Sequence, residues 1–162
     1  MINYIDGPEV RITENDGIFV DVQFYGSDEI MRELEPHRLF PRSGGNKYVA
    51  LLNSEGEQVA IIRDTARLMD ESRKVIESAI EEYYMIPRIT RFIEMTTKFK
   101  IWMWTAETDH GIIKFEIRNH MASVKPLYDG RVLIIDANDN RYEIPDYRKL
   151  DKRSRKMLEP KL

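Results

Sequence analysis

Residues 131–159 read RVLIIDANDNRYEIPDYRKLDKRSRKMLE, and residues 48–77 read YVALLNSEGEQVAIIRDTARLMDESRKVIE. Both run as strand, polar turn, strand, Asp, Leu, helix. At an offset of 83, Val49 falls on Val132, Leu51 on Ile134, Leu52 on Ile135, Asn53 on Asp136 and Ile61 on Ile144. With one residue deleted, Asp64 falls on Asp146, Leu68 on Leu150 and Ser72-Arg73-Lys74 on Ser154-Arg155-Lys156. Neighbours match along with the SRK triplet, so the pattern predicts a duplicated ββββα unit in which each half has an apolar face to bury.

Working outward, GIFVDVQFY (Gly17–Tyr25) places Ile18, Val20, Val22 and Phe24 on one face, the two-residue period of a strand. The NDG turn joins it to VRIT (Val10–Thr13) as a hairpin. Pro36 and Pro41 make Ser27–Arg42 an extended connector or a strand edge. At an offset of 94, Asp16-Gly17-Ile18 resembles His110-Gly111-Ile112. Leu68, Val75, Ile76, Ala79, Ile80 and Tyr83 recur at three and four residues with Ser72 in the same stripe, and Pro87 closes that helix. Strands follow at Ile89–Thr97, Lys100–Thr108 and Gly111–Arg118, then a hairpin across DANDN, then a short helix over about 147–159. The fold class is α+β: an antiparallel, β-rich single domain over 1–162, built from halves of about 8–87 and 88–162. Its strands form sheets or a partial barrel with two helices.

Composition narrows the function. The chain has 162 residues, enough to bury a core without disulfides or a structural metal. The absence of cysteine excludes thiolate catalysis and cysteine-ligated zinc, and fits a reducing, cytoplasmic compartment. MINYIDGPEV has neither the basic region nor the apolar core of a signal peptide, and no run is long enough to insert into a membrane. A formal charge of −3 predicts no general attraction to nucleic acid or anionic lipid, so any such binding must come from a local patch.

Candidate chemistry is sparse. DANDN (Asp136–Asn140) has oxygen side chains at positions 1, 3 and 5, but Arg141 and Tyr147 stand where a calcium loop needs Gly and Glu, so it reads as a polar turn. His37, His110 and His120 lack metal-ligand spacing, and SGGN (Ser43–Asn46) precedes a strand rather than a phosphate-binding helix. Asp64 and Asp146 recur before the helices, and Arg73 and Arg155 recur on them. An Asp–Arg pair could tie hairpin to helix in each half, or the four could form a ligand site. Trp102 and Trp104 share one side of a strand with Lys98 and Lys100, a pattern of buried core or of a stacking surface. Arg148–Lys156 carries six basic residues against Asp151, the one basic patch of the chain.

The two stretches quoted at the outset, with WMWTAETDHG between them, resemble a bacterial domain-of-unknown-function family, number eighteen fifty-four, from about Pro36 onward. That resemblance implies a small module, free-standing or attached to ABC-type transporter proteins, in some cases associated with cyanophycin metabolism. It carries no catalytic residues and no cofactor. The expectation is a cytoplasmic, non-enzymatic accessory or regulatory binding module for a transporter protein or a peptide or polymer ligand. An enzyme or ligand-binding protein acting on an Asp/Arg-rich peptide is the alternative, and a nucleic-acid binder using the basic C-terminal helix is disfavoured by charge. Ligand identity, oligomeric state (a homodimer included) and the role of residues 1–35 stay open.

Overall fold

A computed structural model describes residues 2–162, the side chains of 120 and 121 excepted. The chain divides into two compact units, residues 1–85 and 86–162.

The first unit holds β1 (Asn3–Ile5), β2 (Val10–Asn15), β3 (Phe19–Phe24), β4 (Ile30–Arg38), β5 (Lys47–Leu52), β6 (Gln58–Asp64) and α1 (Asp70–Met85). Its strands form one sheet in the order β1-β6-β5-β4-β3-β2, antiparallel except for β1 beside β6. Alternation places Val20, Val22, Val49, Leu51, Ala60 and Ile62 in the core, where Ile76, Ala79 and Ile80 of α1 cover them. Each buried Val, Leu or Ile among them contributes roughly 1.5–3 kcal/mol. Asp70 and Glu71 open α1, where the helix dipole favours negative charge.

Of the two expectations for the stretch 27–42, the strand holds: it contains a nine-residue strand, β4. Two ladders use different halves of it: β3 pairs with residues 30–34 and β5 with Glu35–Arg38. Pro36 therefore lies where β4 has a single neighbouring strand, the place a sheet tolerates a residue without N–H.

The second unit holds β7 (Ile89–Lys98), β8 (Ile101–Thr108), β9 (Gly111–Ile117), α2 (His120–Ser123), β10 (Val124–Pro126), β11 (Val132–Ile135), β12 (Arg141–Ile144) and α3 (Lys152–Leu158). Two antiparallel sheets result, β7-β8-β9 and β10-β11-β12. They are joined where the Ala137 N–H donates to the Glu116 carbonyl (2.9 Å) and the Glu143 N–H to the Pro87 carbonyl (3.0 Å). An aromatic row runs through this core: Phe92 meets Trp104 edge-on at 5.8 Å, Trp104 meets Phe115 at 6.0 Å, and Phe115 stacks on Tyr142 at 4.3 Å. The short strands β1 and β10 carry too few residues for a period to be read, and both went unpredicted. The protein is thus α+β and β-rich, with three mostly antiparallel sheets.

Candidate functional site

Each unit turns from its last strand into its main helix through the same corner. In the first, the Asp64 carboxylate accepts the Ala66 N–H (3.0 Å) and starts a 3-10 turn over Thr65–Arg67. The Leu68 N–H then donates to the Thr65 carbonyl (3.2 Å). In the second, Asp146 accepts the Arg148 N–H (3.0 Å), a 3-10 turn spans Tyr147–Lys149, and the Leu150 N–H donates to the Tyr147 carbonyl (3.2 Å). The predicted single helix over 147–159 is therefore two pieces. Asp151 caps α3 through the Ser154 N–H (3.2 Å), and a further 3-10 turn, Glu159–Lys161, contains Pro160.

The SRK triplets are anchored by their serines. Ser72 is 3% exposed and its Oγ accepts the Ile12 N–H of β2 at 3.0 Å. Ser154 is fully buried and its Oγ accepts the Phe92 N–H of β7 at 2.8 Å. β2 and β7 are both edge strands, so each serine satisfies an N–H that has no strand to receive it. By this measure β2 stands in the position of β7.

The expected aspartate–arginine pairs take other partners. Arg73 donates from Nε to Glu77 one turn along α1 (3.1 Å), and Glu77 also accepts the Thr65 hydroxyl (3.0 Å). In the second unit a bidentate pair does form on Asp146, from Arg148 rather than Arg155: Nε to Oδ1 at 2.8 Å and a terminal nitrogen to Oδ2 at 3.1 Å. Arg148 also donates to the Asp129 carbonyl (3.1 Å). Gly130 lets this clamp close. Its φ is +78°, and a Cβ there would overlap Asp146 Oδ1 and approach Arg148 Nε to 2.8 Å. The Arg148 guanidinium holds the Asp146 carboxyl below the usual carboxylate range, and Asp146 in turn raises Arg148. The Asp151 carboxyl is also lowered, first by the Ser154 hydroxyl, which donates to it at 2.5 Å. Asp64 and Asp146 belong to different units, and each is built into its own corner.

The remaining candidates divide between structure and surface. Trp104 is 0% exposed at the centre of the aromatic row. Trp102 is half-buried, with the Lys161 ammonium 4.7 Å from its ring centre. Asp136 closes the DANDN turn by accepting the Asn138 and Asn140 N–H groups (2.8 and 2.9 Å) and the Tyr142 hydroxyl (2.8 Å). Burial, then this carboxylate, pushes the Tyr142 hydroxyl well above its ordinary range. His37 contacts Glu35 and stacks on Tyr83, and His110 lies 3.5 Å from Asp109. The side chain of His120 falls outside the described residues. Among the described residues no three His, Cys, Asp or Glu side chains are grouped to hold a metal ion.

Sequence reading missed the buried pair of Arg131 and Glu143 (2.7 Å), in which Arg131 also reaches the Tyr128 hydroxyl (2.8 Å) and Arg88 stands 3.7 Å from the same carboxylate. Its only signal was an opposite charge on each strand of the last hairpin. Two depressions lie on the surface of the second unit. One, of about 550 Å3, is lined by Lys152, Arg153, Lys156 and Met157 on α3. The other, of about 500 Å3, includes Thr90, Asp129, Asp146, Arg148 and Lys149. At the matching turn of α1, a depression of about 420 Å3 carries Asp70 and Glu71 instead.

These features define a β-rich α+β protein with a basic depression on its second unit and, among the described residues, no helix long and apolar enough to cross a membrane. The chain belongs to the family described as Domain of unknown function (DUF1854), which it matches over residues 31–160. No curated protein and no solved structure matches it.

Proposed function

We propose that this protein is a non-enzymatic accessory binding module whose working surface is the basic face of α3. One observation supports the reading above the others: Lys152, Arg153 and Lys156 line a depression together with Met157, three cations and an adaptable thioether on one short helix. Such a surface suits a carboxylate-bearing segment. In the setting the family resemblance implies, that segment belongs to an ABC-type transporter protein. The ββββα duplication is part of the same proposal, with Asp70 and Glu71 in one half where Lys152 and Arg153 stand in the other.

A second reading rests on the neighbouring depression. There Asp146, Arg148 and Lys149 present both signs of charge, as an Asp/Arg-rich peptide such as cyanophycin would require. Asp146 is held ionised by Arg148, which suits it to accept a guanidinium and makes it a poor proton donor near neutral pH.

Fluorescence anisotropy separates these readings. Labelled poly-glutamate, an Asp/Arg copolymer peptide, a single-stranded oligonucleotide and an acidic peptide from an ABC-type transporter protein are titrated against the protein and its K152E/R153E/K156E variant. Acidic segments should bind the wild type, and the variant should lose about tenfold to a hundredfold, three surface charge pairs at about 1 kcal/mol or less each. Equal binding by the two proteins would sink the proposal. Preference for the oligonucleotide with a steep salt dependence would transfer the surface to nucleic acid.

A further inference from the structure

We infer that the tip of the β7–β8 hairpin, Lys98–Phe99–Lys100, is a wedge that seats this protein on a lipid surface bearing anionic headgroups. Lys98 pairs with Ile101, so the turn has two residues, Phe99 at φ +55° and Lys100 at φ +64°. A two-residue turn of this kind favours Asn and Gly, and a bulky residue in the left-handed region is an outlier. The β2–β3 hairpin of the first unit, which pairs Asn15 with Phe19 across a three-residue turn, meets its left-handed positions with residues that tolerate them. Its left-handed positions are Asp16 (φ +58°) and Gly17 (φ +80°). Hairpin geometry alone therefore gives no reason for phenylalanine.

Packing gives none either. Phe99 is 86% exposed, the most exposed large apolar side chain among the described residues. Strain that the fold does not reward points to a use outside it. The surroundings indicate which use. The Lys98 ammonium sits 5.6 Å from the Phe99 ring centre, Lys100 is adjacent, and Lys161 lies over Trp102 two residues along β8. The tip thus presents one exposed aromatic ring between two lysines, with a third lysine at the ring of nearby Trp102. A protein partner would need a preformed pocket for that ring. A bilayer interface yields to it, accepting aromatic rings at headgroup depth while lysines engage anionic headgroups. One ring and three lysines amount to weak, reversible attachment.

Co-sedimentation of the full chain with vesicles tests this, using phosphatidylcholine alone and phosphatidylcholine with about one-third phosphatidylglycerol. Wild type should pellet with the anionic vesicles only, and less as salt rises. Phe99→Asn should lower the bound fraction about fivefold or more, because the inserted apolar group is gone. Its melting temperature should hold or rise, because Asn accepts the left-handed conformation. Lys98→Gln with Lys100→Gln should lose binding similarly, and Phe99→Trp should retain it. The α3 variant K152E/R153E/K156E should still bind, which separates this site from the one proposed above. Failure of the wild type to pellet, pelleting independent of anionic lipid, or undiminished binding by Phe99→Asn would overturn the inference. So would Phe99-dependent capture of an acidic peptide or an oligonucleotide without vesicle binding.

Discussion

The two units share an interior device and differ in what they build around it. In both, a buried serine on the main helix receives an N–H from an edge strand, Ile12 in one and Phe92 in the other. In both, an aspartate starts the 3-10 turn that leads to a buried leucine. Outside this frame the chemistry diverges. The first unit adds to the Asp64 cap a chain in which Glu77 accepts from Thr65 and Arg73. The second adds the Arg148 clamp and the close approach of Gly130. The first turn of α1 carries Asp70 and Glu71, whereas α3 begins with Lys152 and Arg153. Buried hydrogen bonds tolerate little change because an unpaired group in the interior is costly, while solvated charges can be exchanged at small cost. Two units with the same serine and aspartate hydrogen bonds can therefore present opposite charge at the first turns of their helices.

The largest expected break in this comparison comes from the buried pair. Glu143→Ala leaves the Arg131 guanidinium in the interior without its carboxylate and should cost about 3–5 kcal/mol. Urea denaturation measures the loss. Hydrogen exchange should show lost protection concentrated in residues 86–162, and uniform loss along the chain would contradict the placement of the pair.

Ser72→Ala and Ser154→Ala sharpen the comparison. Each orphans a buried edge-strand N–H and should cost about 1–3 kcal/mol. Similar penalties support equivalent roles. A neutral effect at one of them would mean that water or a shifted strand replaces the hydroxyl there, and the shared device would be lost.

The smallest effect concerns acid. Asp146 and Asp151 have carboxyls lowered in the folded protein, so the unfolded chain binds more protons. Their contribution is complete above the unfolded carboxyl value of about 3.9 and is lost as pH falls through the lower folded values. Asp146→Asn should therefore flatten the fall in melting temperature below about pH 4. An unchanged acid limb would show that the Arg148 clamp contributes nothing to stability.

Much of the architecture was legible in local patterns. The two-residue period marked β3, β8 and β9, the three-and-four spacing marked α1, and DANDN announced its own turn because Asp136 bonds the backbone two and four residues ahead. The candidate site was less so. Asp64 and Asp146 were recognised as recurrent, but Arg73 and Arg155 were paired with them by analogy, and the arginine that reaches Asp146 stands only two residues away. Pro36 left β4 open between connector and strand edge, because only the sheet shows on which side the strand has a neighbour.

Amino-acid order alone determined the hairpin turns at 15–17, 53–56, 109–111 and 136–140, helix α1 and the recurring succession of strand, Asp, Leu and helix, because each depends on groups within one turn or one ladder step. Tertiary structure decided why the SRK triplet recurs. The partners of Ser72 and Ser154 lie 60 and 62 residues away in the chain, and a hydrogen bond across that distance exists only once the helix has packed on the sheet edge.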